Sequence, residues 1–175
     1  LDVVLPGHGR GADDVRPGLR DVLPWHHPGR PHPELDAPVA WWTHVGGVLQ
    51  AALAPLGIRG RDAEAVAAAF PAVYLDPARW VVDPDARPAL RRLAGAGWRN
   101  LVVSNHVPEL AGLVTALGLD EHLDAVLTSA LVGHEKPHPA IFEAALDAAG
   151  RPEVVWMVGD NPDADIAGAA ALGIP

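Results

Sequence analysis

The length, composition and charge of the chain narrow the classes of protein to which it can belong. Its 175 residues are 49% hydrophobic, and 22 acidic side chains against 13 basic ones give a formal net charge of −9. The size is typical of one folded core or of a core with a small inserted domain. The charge argues against a nucleic-acid partner, and no apolar run approaches the ~20 residues of a membrane span. The chain has no cysteines, which excludes disulfides, and the lack of a basic and then apolar leader predicts a cytoplasmic protein.

Residues 1–35 predict a loop-rich N-terminal segment. Leu1–Leu5 is an apolar run that could form a short strand, and a stretch rich in proline and glycine follows it. His26, His27 and His32 lie in this stretch. Their spacing fits no common metal-ligand pattern, so we expect them in a solvated loop.

The sequence predicts a small helical domain over residues 36–82. Apolar residues recur along Val39–Leu56 at the spacing of a helix with one buried face. Arg61–Phe70 is a second, alanine-rich helix that the following proline is expected to stop. The adjacent Trp41 and Trp42 could stack on a ligand, but aromatic packing between the two helices is the preferred interpretation.

Residues 83–175 alternate strictly between helix and strand. The predicted helices are Asp85–Gly95, Pro108–Leu117, Ala140–Ala149 and Ala164–Leu172, and the predicted strands are Trp98–Ser104, Asp124–Thr128 and Val154–Gly159. Consecutive strand–helix units predict an α/β fold with a doubly wound parallel sheet, in which the crossovers are right-handed.

The last strand ends in a cluster of acids. Val154–Gly159 is followed by Asp160 and Asp165, and Asp163 is a candidate N-cap for the final helix. Ligand sites in open α/β sheets lie beyond the carboxyl ends of the strands. Two close carboxylates there suit a hard cation such as Mg²⁺, and a solvated turn is the alternative.

The other strands also end in polar residues. Ser104 and Asn105 follow the first strand, and Lys136 lies in the loop after the second. A hydroxyl, a lysine and a carboxylate pair at one edge of a sheet are suited to binding a phosphoryl group and its Mg²⁺.

These residues carry a resemblance to a known family. Three segments resemble the second, third and fourth motifs of the haloacid dehalogenase (HAD) superfamily: Leu101–Asn105, Glu135–Phe142 and Val158–Asp165. The resemblance implies a Rossmannoid core with a small inserted α-helical cap, at about residues 39–82.

The resemblance also implies roles for individual residues. Ser104 would bond the transferring phosphoryl oxygen, and Lys136 would neutralise that group and the nucleophile. Asp160 would hold Mg²⁺ directly, and Asp165 directly or through water. Asn105 would bind substrate at the entrance below the cap, beside His106.

The first motif of the family is not found in this chain. That motif is an apolar strand ending in Asp-x-Asp, whose first aspartate is the nucleophile. Asp83 and Asp85 have the spacing but lie after the cap and enter a helix. Asp2 lies in the right region but lacks a second acid. We expect the motif to lie upstream rather than in an altered form at Asp2.

The function expected from these observations is a Mg²⁺-dependent phosphatase. Its substrate would be a small phosphorylated metabolite, hydrolysed through an aspartyl-phosphate intermediate. Two alternatives stay open, a metal-free 2-haloacid dehalogenase and a catalytically inactive binding module of the same fold. The sequence names neither the substrate nor the oligomeric state.

Overall fold

The computed structural model describes all of residues 1–175 and has an α/β architecture. The α-helices are α1 Ala12–Val15, α2 Pro38–Leu53, α3 Gly60–Tyr74, α4 Ala86–Gly95, α5 Leu110–Ala116, α6 Ser129–Val132, α7 Pro139–Ala149 and α8 Gly168–Ala170. The strands are β1 Leu101–Ser104 and β2 Ala125–Thr128. None of the helices combines the length and the apolar character that a membrane crossing demands.

The two strands form a parallel pair, as the alternation of helix and strand predicts. Leu101 lies opposite Ala125, and Ser104 lies opposite Thr128. Helix α5 makes the crossover between the two strands and ends at Ala116, and Gly118 follows it with a φ of +66°. The carboxyl ends of β1 and β2 therefore meet at the same edge, which brings Ser104 and the loop after β2 together.

The predicted third strand, Val154–Gly159, is not part of the hydrogen-bonded sheet. Its side chains alternate as a strand requires: Val155 and Met157 pack against the cluster around Ile141 and Phe142, whereas their neighbours are exposed. The apolar run predicts a fully buried strand, and this is wrong for Val154, Trp156 and Val158, whose side chains are exposed. The prediction of a sheet strand was wrong because residues 1–175 supply no neighbouring strand to pair with this backbone.

The final helix also differs from its prediction. A single π-helical segment, Pro162–Ala167, comes first, and the short α8 follows it. The N-cap is Asn161 rather than Asp163, because the Asn161 carboxamide oxygen accepts from the amides of Asp163 and Ala164 at 3.0 and 2.9 Å.

The helical region follows the predicted pattern with one extension. Helix α2 begins with Pro38 at its first position, where a missing N–H costs nothing. Helix α3 continues one turn beyond the predicted end at Phe70. Pro71 lies in the last turn of the helix, and Leu75 N closes this turn by donating to Pro71 O at 2.9 Å.

The main hydrophobic cluster joins the helical region to the sheet region. Trp41, Val45 and Leu49 of α2 pack with Val107 and Ala130, which follow β1 and β2. Trp41 is fully buried and stacks on Trp25 at 6.0 Å between ring centroids. The aromatic packing expected between the two helices is confirmed for Trp42, whose ring lies 5.9 Å from Phe70 and 5.8 Å from Tyr74 of α3 between centroids. Trp41 packs on the N-terminal segment instead, and the predicted domain limits stay a prediction.

The N-terminal segment departs from its prediction at two points. Leu1–Leu5 forms turns rather than a strand and packs against the cluster of Leu53, Ala63 and Val66. His32 is buried rather than solvated, because its ring lies against Trp41 and bonds to Glu135.

Replacing Trp41 tests the main cluster. We expect Trp41→Ala to lower the free energy of unfolding by about 3–5 kcal/mol, since it removes a fully buried indole and leaves a cavity. Chemical denaturation measures this change. Val39→Ala, on the exposed face of the same helix, should stay within about 0.5 kcal/mol of the parent. Equal effects of the two variants would contradict the assigned core.

Candidate active site

The Lys136 ammonium group is the centre of the candidate site. Its Nζ donates to Asp165 Oδ1 at 2.6 Å and to the Val103 carbonyl oxygen at 2.7 Å. The two charged side chains are only 10% and 6% exposed. A buried charge is stable only when it is paired and hydrogen-bonded, so these contacts fix the position of the ammonium group.

Asn105 holds the backbone of Lys136. Its Oδ1 accepts from Lys136 N at 2.7 Å, and its Nδ2 donates to Lys136 O at 3.1 Å. Asn105 directly follows β1, so this pair of bonds ties the loop after β2 to the end of β1. The predicted substrate-binding side chain thus has one amide hydrogen and one lone pair left for other partners.

Ser104 is the last residue of β1 and follows the residue whose carbonyl Lys136 contacts. Its side chain is half-buried, and its hydroxyl is not engaged in a hydrogen bond within the chain, unlike that of Ser129, which accepts from His106 N. The end of β1 therefore presents a free hydroxyl at Ser104, one residue after the carbonyl group that holds the ammonium group.

Asp165 is buried against the backbone of the loop that carries the acids. Its Oδ2 accepts from Asn161 N at 3.1 Å, while its Oδ1 accepts from Lys136. A Cβ on Gly159 would clash with the Asp165 carboxylate. Glycine is therefore required at position 159, because the Asp165 carboxylate lies where a larger residue would place its Cβ.

The two predicted metal ligands, Asp160 and Asp165, lie in different environments. Asp160 is exposed, whereas both oxygens of Asp165 are already hydrogen-bonded. No group of three or more histidine, aspartate or glutamate side chains converges anywhere in the chain. Mg²⁺ is commonly held by one or two carboxylates, with water and substrate phosphate completing its shell. The hard, free oxygens of Asp160 fit that mode of binding, and Asp165 is better placed to hold Lys136.

The candidate nucleophiles lie away from this arrangement. The Asp2 side chain is 98% exposed and contacts His8. It belongs to the segment that packs against α2 and α3. Asp83 accepts from Asp85 N at 2.8 Å in the turn that enters α4. Within residues 1–175, Asp165 is the carboxylate that pairs with Lys136.

Aromatic side chains cover the end of β1. His106 Nε2 lies 3.2 Å from the Tyr74 hydroxyl of α3, and the His106 ring centroid lies 5.7 Å from that of Trp80. Burial lowers the pKa of His106 and raises that of Tyr74. The neutral forms of both groups are therefore favoured where the helical region meets the site.

Two further features were not predicted from sequence. His134 and His138, on either side of Lys136, stack at 4.1 Å between ring centroids. His32 bonds to Glu135, a residue 103 positions away. No local pattern signals either contact, because both depend on how the loop after α6 is folded.

The buried state of His106 predicts a pH-dependent stability. Its pKa is lowered from 6.5 by burial, so the unfolded state binds more protons below that pH. Stability from this group is therefore complete above pH 6.5 and is lost as the pH falls toward the lowered value. Denaturation at several pH values should show a weaker pH dependence for His106→Gln in this window. His44→Gln, on the exposed face of α2, is the control and should follow the parent.

Comparison with known proteins places this arrangement in a family. The family model described as haloacid dehalogenase-like hydrolase matches residues 10–173. The human haloacid dehalogenase-like hydrolase domain-containing protein 3 is 40% identical over 139 residues, 77% of this chain and 53% of that protein. The phosphoserine phosphatase of Thermus thermophilus is 34% identical over 145 residues, 81% of this chain and 57% of that protein.

The fold comparison agrees with the sequence comparison. The magnesium-bound HAD hydrolase YfnB of Bacillus subtilis superposes with a TM-score of 0.70 at 16% identity, over 94% of this chain and 71% of that one. This likeness concerns the fold, and the chain spans about half the length of the curated relatives it matches. The match of the family model over residues 10–173 establishes that the chain belongs to the haloacid dehalogenase-like hydrolases.

Proposed function

We propose that this hydrolase is a phosphatase of a small phosphorylated metabolite, and that Lys136 and Ser104 bind the phosphoryl group. The observation that carries the proposal is the buried Lys136 ammonium group held at the end of β1 by the Val103 carbonyl oxygen, one residue before the free hydroxyl of Ser104. The related phosphoserine phosphatase supports the same chemistry. A small anionic substrate also agrees with the site, since a nucleic acid would be repelled by a chain of net charge −9.

The hydrogen-bonding capacity of Lys136 supports this role. An ammonium group has three donors, and two of them are used by Asp165 and Val103. The third donor is available to an oxygen of the phosphoryl group. The Ser104 hydroxyl would donate to another oxygen, so that charge developing on the group in the transition state meets donors already in place.

Asn105 and Asp165 are proposed to position Lys136. Asn105 binds the backbone of Lys136, and Asp165 and the Val103 carbonyl oxygen bind its ammonium group, so backbone and side chain are each held by their own contacts. Donors that are fixed before the reaction need no reorganisation during it, which is the condition for strong electrostatic stabilisation.

Mg²⁺ is proposed as the cofactor, with Asp160 as its carboxylate ligand. When bound, the ion would supply Lewis-acid polarisation of a phosphoryl oxygen. Asp160 is exposed at the same loop that carries the Lys136 partner Asp165. Each oxygen of Asp165 accepts one hydrogen bond and keeps one lone pair, so Asp165 is proposed as a second ligand, directly or through water.

The aspartyl-phosphate step needs a carboxylate that attacks phosphorus while the ester oxygen leaves with its electron pair. The Asp165 carboxylate is paired with Lys136, and the exposed Asp2 side chain contacts His8. We therefore propose that the nucleophilic aspartate lies outside residues 1–175. A haloacid dehalogenase would use the same lysine and serine, but the exposed acid at Asp160 favours the metal-assisted reaction.

Hydrolysis of p-nitrophenyl phosphate by the protein at its natural length tests the proposal. We expect activity in Mg²⁺, its loss in EDTA, and a decrease in kcat/KM of about 100-fold or more for Lys136→Met and for Asp160→Asn, since each removes a group that stabilises transition-state charge. Arg91→Gln, at an exposed position of α4, is the control.

The outcomes separate the alternatives. Full activity in EDTA would exclude the metal-assisted reaction. Chloride release from 2-chloropropionate without metal would identify a dehalogenase. A folded protein that hydrolyses no member of a panel of phosphate esters would indicate the inactive binding module.

A further inference from the structure

We propose that His32 is a positioning residue for Lys136, acting through the buried carboxylate of Glu135. The proposal rests on the function proposed for Lys136, and it assigns the N-terminal segment a part in holding the active-site lysine. His32 contacts neither the substrate position nor the reacting atoms.

The contact between His32 and Glu135 is enclosed. His32 Nε2 lies 3.1 Å from Glu135 Oε1, and the two side chains are 7% and 0% exposed. A carboxylate without solvent exposure is costly unless it is hydrogen-bonded. His32 Nε2 is the hydrogen-bond partner of this carboxylate, whose Oε2 has none. The position of Glu135 therefore depends on His32.

The N-terminal segment is fixed to the same loop at a second point. His32 N donates to the Gly133 carbonyl oxygen at 2.9 Å. A Cβ on Gly133 would lie 3.2 Å from Pro33 Cα, and the φ of Gly133 is +80°, which favours glycine. Backbone contact at Gly133 and side-chain contact at Glu135 together align the segment along the loop that leads to Lys136.

The orientation of the His32 ring is itself determined by packing. The ring meets Trp41 edge to face, with 5.9 Å between centroids and an interplanar angle of 69°. Trp41 is fully buried in the main cluster. The imidazole is thus directed at Glu135 by a side chain that cannot move freely, since protein interiors are closely packed.

The constraint passes from Glu135 to Lys136 through the backbone. The two residues are adjacent, and the Glu135 carbonyl oxygen accepts from His138 N at 2.8 Å, which closes the turn around Lys136. Asn105 holds Lys136 from the β1 side. The lysine is therefore clamped between β1 and the N-terminal segment. Loss of His32 leaves a buried carboxylate unpaired, one residue from the active-site ammonium group.

Lys136 is the only lysine among the 175 residues, so it can be observed directly. Lysine labelled with ¹³C at Cε gives one side-chain signal from this chain. Trinitrobenzenesulfonate modifies amines, and mass spectrometry of the peptide containing Lys136 measures its rate of reaction. Neither readout requires enzymatic activity, so failure of this proposal is distinguishable from failure of the proposed phosphatase function.

We expect His32→Leu to shift the ¹³C signal and to change the modification rate of Lys136 about fivefold, within the range of coupling between neighbouring residues. His32→Gln retains a side-chain donor and should restore both readouts toward the parent. His44→Leu, an exposed histidine on α2, should change neither. A merely structural role of His32 would lower stability without altering the Lys136 signal of the folded protein.

A folded His32→Leu protein with the parental signal and rate would overturn the proposal. If that variant does not fold, Glu135→Gln serves as the second test, since it weakens the contact without burying an unpaired charge. A shifted Lys136 signal in Glu135→Gln would support the proposal, and an unchanged one would overturn it.

Discussion

The structure of the site depends on one buried ion pair, between Lys136 and Asp165. Lys136 lies in the loop after α6, and Asp165 lies in the π-helical segment that follows Val154–Gly159. Because neither charge is tolerated alone in a buried position, their pairing joins this loop to the π-helical segment. The Val103 carbonyl oxygen adds the end of β1 to the same ammonium group. The Lys136 side chain therefore connects its own loop to the end of β1 and to the segment that follows Val154–Gly159.

This pairing changes how the acids of the site are understood. Two aspartates that resemble a metal pair in sequence have separate tasks in the structure, because Asp165 directs both oxygens inward and Asp160 faces solvent. The lysine gains a fixed position and keeps one free donor. This arrangement is the basis of the proposal that a phosphoryl group binds to Lys136, Ser104 and a cation at Asp160.

The surroundings of the site are contributed by parts of the chain that are distant in sequence. Tyr74 of α3 covers His106, and His32 of the N-terminal segment supports the loop that carries Lys136. The main cluster, built on Trp41, joins these parts to the sheet. The helical region and the N-terminal segment therefore both contact residues next to the candidate site.

The sequence by itself determined the α/β alternation and the parallel pairing of β1 and β2, which follow from local periodicity, and its three motifs carried the resemblance to the family. The rule that parallel strands end at a common edge placed Ser104 and Lys136 in the candidate site. It could not determine whether Val154–Gly159 joins the sheet, since pairing depends on a neighbouring strand that periodicity does not reveal. Only the tertiary structure decided that Asp165 pairs with Lys136, that Asn105 holds the lysine backbone, and that His32 is buried on Glu135. Each of these contacts joins residues about 30 to 100 positions apart, and their geometry exists only after the loops have packed.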